Sequence, residues 1–353
     1  MKIALVHKRL DLRGGTERDL FRTAEGLRDL GHEVHLFCSE FGITPPVGTA
    51  GHRIPVVPLG RTARLWSFLV AAPKILRRAS CDVVVNFGRM LSQDVIRSGG
   101  GPHRVFLQKL GREGGMTRRI WQSISPYHQS LLAMEKKQFE PGHYKKVLAV
   151  SEAVKRELTV AYGVPPHLIS VIYNGVDHER FHPALREQSR EAIKTQWHVP
   201  VNAPTVLFVG SGFRRKGLDR LLNVWKSPRL KGVYLLVVGD DAQRDAYEGR
   251  SATGNIVFVG RQENVQRYYG AADLVVLPAI QEAFGNVVLE ALASGVPVVV
   301  SNTVGAAEVL KGSLAEGILA HADDPTEIEA KLLAMLGRAQ DQALRVEARK
   351  LAE

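Results

Sequence analysis

The 353-residue sequence predicts an α/β protein with two domains, each built on a parallel sheet covered by helices. Three stretches support this prediction, because each runs from an apolar strand through a glycine-containing loop into a helical pattern. The three strands are Lys2–His7, Thr205–Val209 and Leu274–Leu277. The chain is long enough for two hydrophobic cores of ordinary size, and the first two strands lie far enough apart to open separate sheets.

The first strand, Lys2–His7, leads through the loop Lys8–Gly15 into a helix expected over about Thr16–Leu30 and capped by its first residue. Within the loop, the Gly14–Gly15 pair would let the backbone pass close to a ligand. A simple tight turn would explain the same pair of glycines. A second strand is expected at Val34–Phe37.

Positive charge is concentrated in the first half of the chain. Residues 1–170 carry 26 Lys and Arg against 14 Asp and Glu, whereas residues 171–353 carry 21 against 22. No acidic residue occurs from Gly51 to Cys81, where an amphipathic helix bearing Trp66 and Phe68 is expected, and basic and aromatic residues are again mixed over 104–146. This composition fits an anionic membrane surface, a phosphorylated glycolipid or nucleic acid. Helices packed on the sheet with solvated basic faces are the plainer alternative.

Composition and motif content disfavour several other classes of protein. The two cysteines, Cys38 and Cys81, give neither a disulfide framework nor metal-ligand spacing, which fits a reducing cytoplasm. The N-terminus lacks the apolar core of a signal peptide, and no apolar run approaches the ~20 residues of a membrane span. No nucleic-acid-binding motif accompanies the basic residues. We therefore expect a cytoplasmic protein, peripheral on the inner face of the cytoplasmic membrane.

A histidine follows three glycines after the expected strand Asp94–Ser98. Gly99–Gly101 mark the carboxyl edge of the sheet, where ligands bind in parallel α/β folds, so His103 is a candidate site residue. A structural or merely exposed histidine is the alternative. The boundary between the domains is expected near Pro165–Asn174, which gives domains of residues 1–170 and 171–353. The polar stretch 184–203 would be the approach to the second domain.

A glycine-rich loop with three consecutive cations follows Thr205–Val209. It spans Gly210–Gly217 and contains Arg214, Arg215 and Lys216. Fixed cations can hold a diphosphate and stabilise the charge that develops on it without a metal ion. The spacing is not that of a P-loop, and a solvated turn would also accommodate three cations.

The stretch Gln281–Glu290 reads Q-E-A-F-G-N-V-V-L-E and lies between the strand Leu274–Leu277 and a helix. A helix beginning near Gly285–Asn286 offers backbone N–H groups to an anion at the carboxyl edge of the sheet. Glu282 lies in the loop, whereas Glu290 lies in an apolar helix where a carboxylate needs partners. Phosphate bound by the amides and sugar hydroxyls bound by the glutamates would satisfy these groups. The alternative is that the glutamates are there only because the helix dipole favours acidic residues, and that the glycine-containing loop binds no ligand.

These motifs resemble those of the retaining family 4 glycosyltransferases, which have the GT-B fold of two Rossmann-like domains facing each other across a cleft. The resemblance covers nearly the whole chain. It rests on E-x-F-G with a second Glu eight residues after the first, on R-K-G-L-D, on N-G-V-D at Asn174–Asp177, and on G-G-T-E-R from Gly14. It implies that Glu282 orients the donor sugar, that His103 positions sugar or acceptor, and that the donor-binding residues are Gly15, Arg215, Lys216, Arg261, Phe284, Gly285, Asn286 and Glu290.

The resemblance also implies a reaction. The motifs are most similar to members that glucosylate the inner-core heptose of lipopolysaccharide, so the expected activity moves a hexose, taken as glucose, from a UDP-sugar to an anionic glycolipid with retention. No cofactor or obligatory metal is expected. Other donors (UDP-N-acetylglucosamine or GDP-mannose) and other acceptors (a polysaccharide or a phospholipid) remain open. So do a UDP-sugar epimerase on the same fold and a non-enzymatic nucleotide-sugar- or lipid-binding module.

Two features depart from the family pattern. Ser211 stands where relatives usually have Arg, so Arg215 is expected to supply the second cation beside Lys216. Relatives also have a long helix that crosses back to the first domain, and this helix should begin about where the sequence stops, at Glu353. The brace between the domains is therefore expected to be shortened or incomplete.

Overall fold

The computed structural model describes residues 1–12, 14–111, 125–251 and 254–353. The chain divides into two compact units, Met1–Asn174 and Gly175–Glu353. Each unit contains one parallel sheet with helices between its strands, so the predicted α/β class with two Rossmann-like sheets is confirmed. No helix among the described residues is both long and apolar enough to cross a membrane.

The described part of the first unit contains a seven-stranded sheet in the order β3-β2-β1-β4-β5-β6-β7. Its strands are β1 Lys2–Leu10, β2 Glu33–Phe41, β3 Ala50–Arg53, β4 Val83–Asn86, β5 Val95–Ser98, β6 Lys146–Ala149 and β7 Ile169–Val171. Its helices are α1 Gly15–Asp29, α2 Gly60–Ala79, α3 Pro126–Gln138 and α4 Glu152–Tyr162, and residues 103–111 are also helical.

Helices cover both faces of the first sheet, which explains why its central strand is apolar on both sides. Leu5 of β1 packs in one cluster with Leu20 of α1, whereas the adjacent Val6 packs in a second cluster with Phe68 of α2. Successive residues of a strand point to opposite faces, so one apolar strand supplies both cores.

Some local expectations in the first unit are wrong. Thr16 does not cap α1, because Gly14 occupies the N-cap position without a side-chain hydrogen bond. Phe68 does not share the outer face of α2 with Trp66: it is 6% exposed in the core, whereas Trp66 is 46% exposed. The edge strand β3 was not expected. Part of the basic stretch 104–146, including Trp121, lies outside the described residues.

A buried arginine fixes the segment with which the first unit ends. Arg97 of β5 is 7% exposed. Its Nε donates to Oδ2 of Asp19 on α1 at 2.9 Å, its Nη1 to the Ile172 carbonyl at 3.3 Å and its Nη2 to Oδ1 of Asn174 at 2.7 Å. The guanidinium therefore ties residues 172–174 to α1 and β5.

The described part of the second unit contains a six-stranded sheet in the order β10-β9-β8-β11-β12-β13. Its strands are β8 Thr205–Val209, β9 Tyr234–Val238, β10 Ile256–Gly260, β11 Leu274–Leu277, β12 Val298–Ser301 and β13 Ile318–Leu319. Its helices are α5 Leu185–Gln196, α6 Leu218–Val224, α7 Arg244–Glu248, α8 Gln266–Ala271, α9 Asn286–Ala293, α10 Pro325–Gly337 and α11 Gln342–Ala352.

The stretch 184–203, expected to be a polar approach to the second domain, instead contains α5. Leu185 and Ile193 anchor this helix, because both are buried although most of their neighbours are polar. In its last turn, the fully buried Lys194 donates through its ammonium to the carbonyls of Val201 and Ala203, which follow the helix, at 2.9 and 2.6 Å. The polar composition concealed a helix with a narrow apolar face.

Strand order reverses between β1 and β4 in the first sheet and between β8 and β11 in the second. Loops leaving the carboxyl ends of two such strands run to opposite faces of the sheet and leave a crevice between them. In the second unit these loops are Gly210–Gly217 and residues 278–285. The fold therefore places the two charged motifs of that unit at one switch point.

Candidate active site

The two loops at the second switch point are held together by one hydrogen bond between their backbones and by one from the helix that follows the first loop. The Ile280 N–H donates to the Arg215 carbonyl at 2.9 Å, and the Arg220 guanidinium donates to the Pro278 carbonyl at 2.9 Å. Gly217 has a φ of 84°, and a Cβ on it would lie 2.0 Å from the Pro278 oxygen. Only glycine allows both this conformation and this approach, so the sequence fixes how closely the loops meet.

Three charged side chains converge where these loops meet. Nη1 of Arg215 and Nζ of Lys216 lie 2.5 and 3.1 Å from the same oxygen, Oε2 of Glu282. Nη1 of Arg215 also donates to the Gln281 carbonyl at 3.2 Å. The side chain of Lys216 lies across Gly210, where a Cβ would be 2.3 Å from the lysine Cδ. Two cations expected at a diphosphate thus meet a carboxylate expected at the sugar.

The charge state of Glu282 follows from these contacts. Burial raises the pKa of this carboxyl, but the Lys216 ammonium and the Arg215 guanidinium outweigh burial and hold the pKa below its ordinary value. The glutamate is therefore ionised at neutral pH. Its side chain is 18% exposed, and its single negative charge leaves one of the two positive charges uncompensated.

The loop after β12 holds the Glu282 loop from the other side. The Gly305 N–H donates to the Glu282 carbonyl at 3.0 Å, and the Ala306 N–H donates to the Phe284 carbonyl at 2.7 Å. Oγ1 of Thr303 donates to the Ala279 carbonyl at 2.9 Å. Phe284 itself is buried. Sequence reasoning gave no reason to select Thr303.

Helix α9 begins at Asn286, directly after Gly285, which has a φ of 93°. Glu290, on the second turn of this helix, is 5% exposed, and its Oε2 accepts a hydrogen bond from the Tyr269 hydroxyl at 2.6 Å. The expectation that Glu290 needs a polar partner is confirmed, and Tyr269 supplies one within the protein. Sequence reasoning did not select Tyr269 for the site, and the signal missed was that a buried tyrosine hydroxyl needs a hydrogen-bond partner of its own.

Arg261 is exposed and directly follows β10. In the sheet, β9 lies between β10 and β8. The loop that continues from it is held by Arg180, whose Nη2 donates to the Glu263 carbonyl at 2.9 Å and whose Nε donates to Oε1 of Gln266 at 3.2 Å. Sequence reasoning did not select Arg180, although it lies just after the N-G-V-D motif.

Gly15 and His103 belong to the first unit. Gly15 is the first residue of α1, and His103 begins the helical residues 103–111 after β5. Nε2 of His103 lies 3.0 Å from Nδ1 of His128 on α3. Burial, with a smaller contribution from the nearby Arg89, lowers the pKa of His103 to about 4, so the ring is neutral at neutral pH.

A fully buried carboxylate lies beneath His103. Oε1 of Glu135 accepts the His103 backbone N–H at 2.9 Å and lies 3.0 Å from Nη2 of Arg89, while Oε2 accepts the Tyr162 hydroxyl. Sequence reasoning missed Glu135. Its place four residues after Leu131, on the buried face of α3, was the available signal.

Among the described residues, no three His, Cys, Asp or Glu side chains are grouped as ligands for a metal ion. The charge at the second switch point is supplied by side chains of the chain itself, as the cluster of Arg215, Lys216 and Glu282 shows.

Two family models match the chain over most of its length. Residues 13–180 match the model described as Glycosyltransferase Family 4, and residues 203–338 match the model described as Glycosyl transferases group 1. The chain is a GT-B glycosyltransferase.

This glycosyltransferase is 26% identical over 303 residues to the lipopolysaccharide glucosyltransferase WaaG of Escherichia coli strain K12, which covers 84% of this chain and 79% of that protein. A crystal structure of WaaG matches with a TM-score of 0.80 at 23% identity, over 99% of this chain and 94% of that one. Anabaena HepE, solved in complex with UDP-glucose, matches with a TM-score of 0.68 at 18% identity, over 100% and 94% of the two chains. These two structures support the fold.

Proposed function

We propose that this glycosyltransferase moves glucose from UDP-glucose to a sugar of an anionic glycolipid, with retention at the anomeric carbon. The observation that carries the proposal is the cluster of Arg215, Lys216 and Glu282 on two interlocked loops at a sheet switch point. The name of WaaG as a lipopolysaccharide glucosyltransferase and the UDP-glucose complex of HepE support glucose and UDP as the donor groups.

In this proposal, the donor diphosphate exchanges with Glu282 at the two cations. One carboxylate neutralises only one of the two positive charges, so a diphosphate with two negative charges is the better counter-ion. Once displaced, the ionised Glu282 carboxylate accepts hydrogen bonds from hydroxyls of the donor sugar. Arg215 and Lys216 remain on the β-phosphate, where negative charge increases as the leaving group departs.

The transfer step needs no group outside the two substrates and these side chains. The acceptor hydroxyl attacks the anomeric carbon on the face from which UDP leaves. The new C–O bond forms as the bond between that carbon and the β-phosphate oxygen breaks, and the hydroxyl proton passes to a β-phosphate oxygen. His103 supplies a neutral ring that positions a sugar hydroxyl.

The other donor contacts in the proposal are those that the family resemblance implies, and their positions in the fold are compatible with them. The backbone at Gly285 and Asn286, where α9 begins, faces the phosphates as a helix N-terminus, with Phe284 as its buried support. Glu290 contacts the ribose through its carboxylate, which Tyr269 orients. Arg261 lies beside the base, and Gly15 allows the start of α1 to approach the donor.

The acceptor side of the proposal rests on α2. Trp66 and Val70 are exposed, four residues apart on one face, and the exposed cations Lys74, Arg77 and Arg78 follow towards the end of the helix. The Trp66 indole N–H donates to Oγ of Ser130 at 3.2 Å, which fixes the ring on α3. An exposed aromatic ring followed by basic residues fits the headgroup region of an anionic membrane. We therefore place the enzyme on the inner face of the cytoplasmic membrane.

The donor assignment is tested by calorimetry with UDP, GDP, UDP-glucose, UDP-N-acetylglucosamine and GDP-mannose. We expect UDP and UDP-glucose to bind, and the Lys216→Ala variant to lose about 10- to 100-fold in affinity, the value of a charge-assisted hydrogen bond. Binding of GDP-mannose in preference to UDP-glucose would reject the donor. Binding of all nucleotides unchanged by Lys216→Ala would reject the site.

Flotation with vesicles tests the membrane assignment. Vesicles containing phosphatidylglycerol should retain the protein at low salt, and phosphatidylcholine vesicles should not. Trp66→Ala should weaken retention, whereas Val160→Ala, which changes an exposed apolar residue on α4, should not. Equal retention of the Trp66→Ala variant would exclude α2 as the contact.

A further inference from the structure

Helix α3 contacts His103 at two points. His128 and Glu135 lie seven residues apart, or about two helical turns, and therefore share one face of α3. Glu135 contacts the backbone of His103, and His128 contacts its ring. A single rigid element thus fixes both where His103 starts its helix and how its imidazole is turned.

The Glu135 contact fixes the backbone. Besides the His103 N–H, the carboxylate accepts the Arg104 N–H at 3.3 Å, so it binds the first two amides of the helical residues 103–111. Arg89 and Tyr162 provide further donors to the same group. A buried carboxylate with this many donors is held in one orientation, and a negative charge at a helix N-terminus is favourable.

The ring contact constrains the tautomers of both histidines. Burial lowers the pKa of His103 to about 4 and also lowers that of His128, with Arg61 adding to the effect at His128, so both rings are neutral at neutral pH. A hydrogen bond between Nε2 of His103 and Nδ1 of His128 then has one N–H and one lone pair. The two possible arrangements assign opposite tautomers to both rings.

Intrinsic chemistry favours one of these arrangements. A neutral imidazole side chain carries its proton preferentially on Nε2. If Nε2–H of His103 donates to Nδ1 of His128, both rings have the preferred tautomer, whereas the reverse bond requires the less stable tautomer in both. The favoured arrangement leaves a lone pair on Nδ1 of His103, which makes that atom a hydrogen-bond acceptor.

We propose that His128 and Glu135 are positioning residues that hold His103 in the Nε2–H tautomer, so that its Nδ1 accepts a hydrogen bond from a sugar hydroxyl of the substrate. The inference rests on the proposed function for the substrate and goes beyond it by assigning the atom and its role. His103 then works as a neutral acceptor rather than as a cation, which suits a hydroxyl and does not suit a phosphate.

NMR of 15N-histidine-labelled protein tests the tautomer without any substrate. In the wild type, Nε2 of His103 should give a protonated-nitrogen signal and Nδ1 an unprotonated one. The His128→Phe variant keeps a ring for packing but removes the acceptor, so the His103 signals should shift towards a mixture of tautomers. The His128→Asn variant can place its amide oxygen where Nδ1 was and should restore the wild-type signals. The exposed His167→Phe should leave them unchanged.

Steady-state kinetics with UDP-glucose and acceptor then tests the consequence. His128→Phe should lower kcat about tenfold with little change in the affinity for UDP, and His128→Asn should recover most of the loss. A His103 tautomer that is unchanged in His128→Phe would overturn the inference, as would a changed tautomer with an unchanged kcat. If the wild type turned over no UDP-glucose, the proposed function would fail, and the NMR result would still decide whether His128 sets the tautomer.

Discussion

The polar clusters of the two units differ in charge, because one consists of ion pairs and the other contains neutral histidines. In the second unit, the ionised Glu282 forms ion pairs with both Arg215 and Lys216 and offsets one of their two positive charges. In the first unit, burial keeps His103 and His128 uncharged beside the cation Arg89. The charged cluster of the second unit suits the exchange of one anion for another, whereas the neutral histidines of the first unit suit hydrogen bonds to neutral hydroxyls.

This difference implies different responses to solution conditions. Ion pairs that an incoming anion must replace are weakened by salt, because mobile ions screen partly exposed charges. Neutral imidazoles respond instead to acid, which adds the charge that burial excludes. Salt should therefore act mainly on the second unit and pH mainly on the first.

The largest expected effect comes from removing one cation of the charged cluster. Lys216→Ala should lower kcat about 10²- to 10³-fold, because a fixed donor to a developing negative charge is lost. Arg214→Ala provides the matched control, since it removes the exposed cation two positions earlier. We expect less than about a threefold change for the control. Equal losses in both variants would mean that the basic run acts through general charge rather than through the cluster.

The next largest effect concerns the close contact between the two loops that carry Arg215, Lys216 and Glu282. Gly217→Ala should lower the free energy of unfolding by more than about 2 kcal/mol, because it combines a left-handed φ with a backbone clash at Pro278. Gly232→Ala is the control, because its Cβ would have no neighbour within 4 Å, and it should change stability by less than about 1 kcal/mol. Urea unfolding followed by circular dichroism measures both. A neutral Gly217→Ala would show that the loops can separate freely.

A smaller effect tests the role of Glu282 as an internal counter-ion. Glu282→Gln removes the competing charge, so UDP should bind about 3- to 10-fold more tightly, whereas sugar transfer should fall. Calorimetry with UDP and initial-rate kinetics measure the two changes separately. Weaker UDP binding in this variant would show that the carboxylate supports the cations rather than competing for them.

The smallest effect concerns acid stability of the first unit. The pKa of His103 falls to about 4 on folding from an ordinary value of 6.5, so the unfolded chain binds more protons between these pH values. Its contribution to stability is therefore complete above pH 6.5 and is lost as pH falls towards 4. His103→Gln should flatten this part of the stability profile by about 1 kcal/mol, after allowance for solvent screening. An unchanged profile between pH 4 and 7 would show that His103 is not held neutral.

The sequence was sufficient to place the charged motifs at one edge of a sheet. Apolar strands ending in the Gly210 loop and the Glu282 loop predicted a carboxyl-edge site because parallel strands share that edge. It was not sufficient to show that Glu282 pairs with Arg215 and Lys216. That pairing depends on the contact between Gly217 and Pro278, which is set by the spacing of two strands and not by either loop alone.

Buried polar partners were the main features that the sequence did not reveal. Glu135 lies 32 residues from His103 in the chain, and no local pattern joins a helix acid to a distant backbone amide. Tyr269 lies 21 residues from Glu290, and again no local pattern in the sequence joins the two. The need of a buried group for a partner can be predicted from burial alone, whereas the identity of that partner requires the fold.

The hydrogen bonds of the buried Arg97 have a consequence for the exchange of the first unit between proteins. Its acceptors Asp19, Ile172 and Asn174 all lie on the same side of the boundary after Asn174. A chimera joined after Asn174 would carry all of these hydrogen bonds into its new host. A junction before Ile172 would leave the buried guanidinium with Asp19 alone unless the host supplied matching acceptors at both positions. Recombination should therefore succeed a few residues after the last strand of the first sheet and fail directly at its end.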